Sequence, residues 1–398
     1  MADNKDKKVL NVPALRFPEF TREWKEHYLA EYLDFKNGLN PSANKFGSGI
    51  KFISVMDILN NDFITYDCIR TSVEITPEEQ VAFVVEKGDM LFQRSSETLE
   101  DVGRANVYMD NRPAVFGGFV IRGKKKAEYN PMFFRYLLAS PYARKKIIPM
   151  GAGAQHFNIG QDGLSKVKLH FPILQEQQKI AALLRLIDER IATQNKIIED
   201  LKKLKSALAD KLYSSTKGET YSFRQLFDVV NERNKKLTYS NVLSASQELG
   251  MIERSDINID IKFEQDSISK YKIVRRGDYV VHLRSFQGGF AFSDRTGICS
   301  PAYTILRPHD MVVYGYLSYF FMSKPFIKSL KLVTYGIRDG RSINVEEWLD
   351  MTVTLPTRQK QSHIITIINA IDDKLNNENQ IHTCLLQQRA FLLKVMFI

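Results

Sequence analysis

The chain has 398 residues, 44% of them hydrophobic and 26% charged, enough for two or three domains with ordinary globular cores. Lys and Arg outnumber Asp and Glu by 56 to 46, and the resulting charge of +10 suits a polyanionic partner such as nucleic acid or an anionic surface. Three scattered cysteines (Cys68, Cys299, Cys384) exclude a disulfide framework, no apolar run reaches the roughly 18 residues of a membrane span, and the charged start MADNKDKKVL is no signal peptide, so a cytoplasmic protein without membrane association is expected.

In chain order, strand-like runs fall at KFISVMDI (51–58), VAFVVEKGDMLF (81–92) and AVFGGFVI (114–121). SPYARKKI (140–147) reads as a helix behind the sheet, VKLHF (167–171) as a further strand, and 172–214 as one long helix. The second half repeats that order. YVVHL (279–283) and YTIL (303–306) are strands, KPFIKSLK (324–331) a helix, MTVTL (351–355) a strand, and 356–398 a second long helix.

The two long helices are copies of each other. Residues 171–213 align without gaps on 355–397, with identities that include Pro172/Pro356, Gln175/Gln359, Gln177/Gln361, Asp188/Asp372 and Leu208/Leu392. Apolar residues keep the spacing of a helical seam: Ile180, Leu184, Ile187, Ile191, Ile198, Leu201 and Leu208 in the first copy, Ile364, Ile368, Ile371, Leu375, Leu385 and Leu392 in the second. Polar residues interrupt it at Gln194, Lys205, Glu378, His382 and Arg389, where they either edge into solvent or fix the register. Each helix would span roughly 60 Å. Paired seams would make the helices antiparallel, with a globular domain near each end.

The globular parts repeat more weakly. EKGDMLFQRSS (86–96) parallels RRGDYVVHLRS (275–285), a turn, an apolar strand and a polar tip. The expected fold is α+β: two globular domains joined by two long antiparallel helices, a coiled-coil spacer with pseudo-two-fold internal duplication. The boundaries are 1–171, 172–214, 215–355 and 356–398. Loops differ between the halves far more than the framework does, as two different recognition tasks require.

Catalytic patterns are missing: no phosphate-binding GxxxxGK[ST] loop, no HExxH, no CxxC pair. GSG (47–49) and GAGA (151–154) lack the rest of a dinucleotide fingerprint. NPMF (130–133) and SPAY (300–303) lack the second proline of an amino-methyltransferase loop and read as turns or helix starts. No catalytic or metal-binding residue is expected. The basic residues instead sit with amides and hydroxyls on four loops. Arg reads guanine edges and Asn or Gln adenine edges, which nominates Arg94, Gln155, Asn158, Arg284, Gln287, Arg338, Arg341 and Asn344 as base readers. Ser95, Ser96, Arg104, His156, Ser285, Tyr335 and Ser342 are nominated for phosphate contact or support.

With these residues in hand, the chain resembles the specificity subunits of type I restriction-modification systems over its whole length, and looks like a Gram-positive, staphylococcal-type member. The resemblance rests on VPALRFPEFTREWKEHYLAEYLDF (12–35), the paired P-x-x-Q-x-Q helix starts, KGDMLFQRSS and RRGDYVV…GICSPAYTILRP. It implies two target recognition domains, each reading half of an asymmetric bipartite site in double-stranded DNA. It also implies a non-catalytic subunit whose helices dock two methyltransferase subunits, with restriction subunits joining that core. No cofactor is then expected in this chain; S-adenosylmethionine, ATP and Mg²⁺ belong to those partners. The competing expectation is a stand-alone DNA-binding regulator with the same architecture.

Overall fold

The computed structural model of the chain describes residues 10–246, 249–254, 265–282, 289–335 and 342–398. They form two compact units. One gathers the chain up to Asn195 together with Ile381–Ile398, and the other is Lys196–Gln380.

The first unit holds a four-stranded antiparallel sheet in the order Leu33–Asn37, Val120–Lys125, Met90–Gln93, Ala105–Val107. Beside it Lys25–Tyr28 pairs with Lys168–Phe171, Lys25 opposite Phe171. The second unit repeats both. Its sheet runs Phe227–Val230, Thr304–Pro308, Tyr279–Val281, Phe290–Phe292, and Glu219–Ser222 pairs with Thr352–Leu355. The shared strand order is the structural form of the internal duplication.

The repeated Gly-Asp pair explains one entry into that sheet. Gly88 and Gly277 take φ of 96° and 99°, a left-handed conformation that costs glycine little. Each following Asp, buried to 2% exposure, closes the turn on the backbone: Glu86 N donates to Asp89 Oδ2 (3.0 Å) and Arg275 N to Asp278 Oδ2 (2.8 Å). Asp89 also accepts from Lys125 N, and Asp278 from the Arg307 guanidinium, so each carboxylate pins the neighbouring strand.

Several apolar runs expected as strands are divided. KFISVMDI is strand only to Ile53, because Ser54 caps a short helix, Val55–Leu59, and takes the Asp57 carboxylate on its own N–H (2.7 Å). In VAFVVEKGDMLF, Val81–Phe83 ends a helix begun by the Thr76–Glu79 capping box, and strands follow at Val84–Val85 and Met90–Gln93. AVFGGFVI breaks at Gly117–Gly118 into Ala114–Phe116 and Val120–Lys125. The chain passes so close there that a Cβ on Gly38 would lie 2.0 Å from the Gly117 carbonyl oxygen. NPMF is a helix start, Asn130 Oδ1 accepting from Phe133 N (2.9 Å), and SPAY is a turn closed by Tyr303 N on Ser300 O (3.1 Å).

The units differ in what the framework carries. The first adds a sheet in the order Ser72–Val73, Phe46–Ile53, Ala114–Phe116, Val84–Val85, whose central pair is parallel. The second has the hairpin Leu243–Ser246/Gly250–Glu253 and the pair Lys272–Val274/Gly297–Cys299.

The long helices are Leu174–Ser214 and Arg358–Val395. Of the seam positions, Ile180, Leu184, Ile187, Ile198, Ile364, Ile368, Leu375, Leu385 and Leu392 are buried, and Ile191, Leu201, Leu208 and Ile371 half-buried. In the first unit the start of the central helix packs against Leu392, Leu393, Met396 and Phe397. In the second, Ala209, Leu212 and Tyr213 pack with Ile364 and Ile368. Within each unit the two helices therefore run in opposite directions.

Two charged seam residues make ion pairs between the helices. Arg389 pairs with Asp188 in the first unit and Lys205 with Asp372 in the second. Asp188 and Asp372 are aligned positions of the repeat, as are Lys205 and Arg389, so one interaction is made twice. Each aspartate also accepts from a phenol on a short helix of its own unit, Tyr136 Oη (2.7 Å) and Tyr319 Oη respectively. Burial and the adjacent carboxylate push both phenols well up, so they stay protonated donors. Gln194 and Glu378 are buried and His382 half-buried.

The glutamine motif is partly internal. Gln177 is 2% exposed and Gln361 0%. Gln177 donates to Pro172 O (3.1 Å) and accepts from Asn130 N (3.0 Å). Gln361 donates to Pro356 O and Met311 O and accepts from Val313 N (2.8 Å). Only the first glutamines, Gln175 and Gln359, face outward. One position breaks the symmetry. Glu176, 1% exposed, takes a bidentate bond from Arg16 and the Trp24 indole N–H, while its counterpart Lys360 is exposed.

Candidate nucleic-acid interface

Two loops nominated separately in the first unit form one surface. Ser95–Ser96 pairs antiparallel with Phe157–Asn158, Ser96 opposite Phe157. Ser95 Oγ donates to Asn158 Oδ1, and Ile159 N donates to Arg94 O (2.9 Å). The 151–158 loop closes on itself through two backbone bonds between Ala152 and Asn158 (2.9 and 2.8 Å). Gly153 takes φ of 146° at its tip, and a Cβ there would lie 2.0 Å from the His156 carbonyl oxygen, so only glycine serves. The closure leaves Gln155, His156 and Asn158 exposed.

The 93–104 loop is clipped at its base. Gln93 N donates to Arg104 O (2.7 Å) and Gly103 N to Gln93 O (2.9 Å). Arg94 is half-buried with Nη1 on Gly118 O (3.2 Å). Ser96 Oγ accepts from Thr98 N (3.2 Å), and Arg104 is ion-paired with Asp101 at 2.6 Å while remaining half-exposed. Six candidates (Arg94, Ser95, Ser96, Gln155, His156, Asn158) thus cluster about one strand pair, with Arg104 at the base of the same loop. Rigid strand ends carrying exposed amide, imidazole and hydroxyl groups can present donors and acceptors to base edges and phosphates.

In the second unit Thr334–Tyr335 pairs with Ser342–Ile343, Tyr335 opposite Ser342. Asn344 is a helix cap: its Oδ1 accepts from Glu346 N and Glu347 N, and its Nδ2 donates to Glu347 Oε1 (2.7 Å). Capping uses the side-chain groups that base reading would need. Arg284, Ser285, Gln287, Arg338 and Arg341 lie outside the described residues. Among the described residues no group of His, Cys, Asp and Glu could hold a metal ion, and no helix is long and apolar enough to cross a membrane.

Comparison with known proteins bears on this arrangement. Residues 21–203 match the type I restriction modification DNA specificity domain. A Methanocaldococcus jannaschii protein assigned as the MjaX type I restriction enzyme specificity subunit is 23% identical, over 91% of this chain and 90% of its own. The MjaVIII specificity subunit of the same organism is 22% identical, over 93% and 90%. The fold is similar to the type I restriction-modification S subunit of M. genitalium (TM-score 0.56, 15% identity, 97% and 99% covered). It is also similar to a chain from a structure addressing complex assembly and conformational transition of a type I system (TM-score 0.58, 14% identity, 93% and 96% covered). Matched domain, relatives covered nearly end to end and duplicated framework agree, and along its length the chain is similar to the specificity subunits of type I restriction-modification systems.

Proposed function

We propose that this chain is the address-reading part of a type I restriction-modification complex in the cytoplasm. It is the non-catalytic subunit: it recognises double-stranded DNA, and methylation and cleavage are carried out by methyltransferase and restriction subunits. In our reading each recognition domain contacts one half of an asymmetric bipartite site, and two methyltransferase subunits dock on the helices. S-adenosylmethionine, ATP and Mg²⁺ would be bound by those partners.

The observation that carries the reading is the joined surface of the 93–104 and 151–158 loops, mounted on a framework that the second unit repeats. The helices support the docking. Ile197 and Leu204 of the central helix are 40% and 54% exposed, and their seven-residue spacing places them on one face. Exposed aliphatic stripes on a helix mark contact surfaces.

Methylome sequencing of a host expressing the chain with its partners tests the reading. One bipartite methyl-adenine motif is expected. Exchanging residues 93–104 and 151–158 for the loops of a differently targeted relative should change one half of that motif and leave the other intact. Alteration of both halves would overturn the division of labour.

A further inference from the structure

A second cationic feature of the first unit lies beside the reading loops. A cleft of about 370 Å³ opens between Arg104, Arg135, Arg144 and Arg389, over a floor that includes Ile58 and Leu138. The four arginines come from separate segments: the end of the 93–104 loop, the consecutive helices Pro131–Ala139 and Pro141–Ile147, and the C-terminal helix.

Their hydrogen-bonding capacity is incompletely used. Arg144 commits Nη2 to the carbonyls of Glu100 (2.8 Å) and Val102 (2.7 Å), yet its buried Nη1 has no hydrogen-bond partner. Arg135 is 8% exposed and its Nη1 is likewise without a hydrogen bond. The carboxylates paired with Arg135, Asp188 from Nη1 and Asp62 from Nη2, stand 3.9 and 3.8 Å away. Glu100, at the rim, is exposed. Burial lowers both guanidinium pKa values, that of Arg144 to about 10 with Arg104 adding repulsion. Buried N–H groups left unpaired cost free energy that an incoming acceptor would recover.

We infer that this cleft takes a backbone phosphate of the DNA strand lying along the 93–104 loop. The forked guanidinium matches a phosphate's oxygens, and the aliphatic floor suits the sugar of a phosphodiester better than a free, fully hydrated anion. Arg104 links the cleft to the reading surface, since its carbonyl is clipped to Gln93, next to Arg94. The second unit lacks the set: Ser318, Lys328 and Lys205 occupy the positions matching Arg135, Arg144 and Arg389. The two units therefore hold the DNA backbone unequally. The inference rests on the DNA-reading function proposed above.

The test is DNA binding by the assembled complex with methyltransferase subunits, measured from 50 to 200 mM salt. The wild type is compared with Arg104→Gln, Arg144→Gln, the double variant and Arg144→Lys. Loss of a phosphate contact should weaken cognate and unrelated duplexes by the same factor, roughly tenfold for the double variant, and reduce the slope of log K against log salt by about 1. The ratio of cognate to unrelated binding should stay constant, and Arg144→Lys should recover part of the loss. The half-exposed Arg104→Gln keeps the test decisive should Arg144→Gln fail to fold. Wild-type affinity and slope in both Arg104→Gln and the double variant would overturn the cleft, and a loss confined to cognate DNA would reassign it to base reading. A wild-type complex without cognate preference would instead sink the proposed function.

Discussion

Asp188→Ala is expected to destabilise the first unit by about 3 kcal/mol, because it strips the carboxylate from buried cations. The Asp188 side chain is 12% exposed and serves Arg389 (26%), Arg135 (10%) and the Tyr136 phenol. Removal leaves two guanidiniums facing an apolar seam. The aligned change in the second unit should be milder, about 1 to 2 kcal/mol, since Asp372 and Lys205 are 29% and 25% exposed and solvent screens the loss. Ser318 also stands where Arg135 would be, so no second cation is orphaned. The chain offers a separate reporter for each unit, because its two tryptophans, Trp24 and Trp348, are buried one in each. In Trp348→Phe and Trp24→Phe backgrounds, urea unfolding followed by fluorescence should show Asp188→Ala shifting the Trp24 transition more than Asp372→Ala shifts that of Trp348. Equal shifts would mean that Arg135 draws nothing from Asp188.

The buried glutamines should rank in the opposite order between the units. Gln361→Leu leaves Val313 N, Pro356 O and Met311 O without their partner, at about 3 kcal/mol. Gln177→Leu strands only Asn130 N and Pro172 O, at about 2 kcal/mol. Leucine preserves the volume, so the loss measures the polar contacts rather than a cavity. The same two-tryptophan assay reads it, and a Gln177→Leu cost equal to or above that of Gln361→Leu would refute the accounting.

Both helices were readable in the sequence because a 3.6-residue period persists over some ten turns and is then repeated. The Gly-Asp turns were also legible, since glycine followed by a short acceptor is a local signal. Short strands were not. In VAFVVEKGDMLF, Val81–Phe83 became helical because Thr76 and Glu79, upstream of the apolar run, form a capping box. The joining of Ser95–Ser96 to Phe157–Asn158 was invisible, as pairing across some sixty residues leaves no mark on either segment. Asn344 is ambiguous for a related reason: an amide before an acidic pair suits a helix cap, the role its side chain takes here, as well as an adenine. Arg135 and Arg144 escaped notice because a helix repeat hides which arginines face inward, and Arg389 because it read as seam.

Gln177 and Gln361 also have a mechanical consequence. Each grips, from the first turn of a long helix, the backbone that leads into a recognition-domain helix. A side chain bonded off-axis acts as a key in a shaft: the helix cannot spin about its own axis without breaking that grip. Any small turn of a recognition sheet, such as DNA seating against its loops, is then passed on as torque. In the central helix, residues such as Leu186, nine positions beyond Gln177, would swing with it, and a partner bound there would feel which way the sheet had turned.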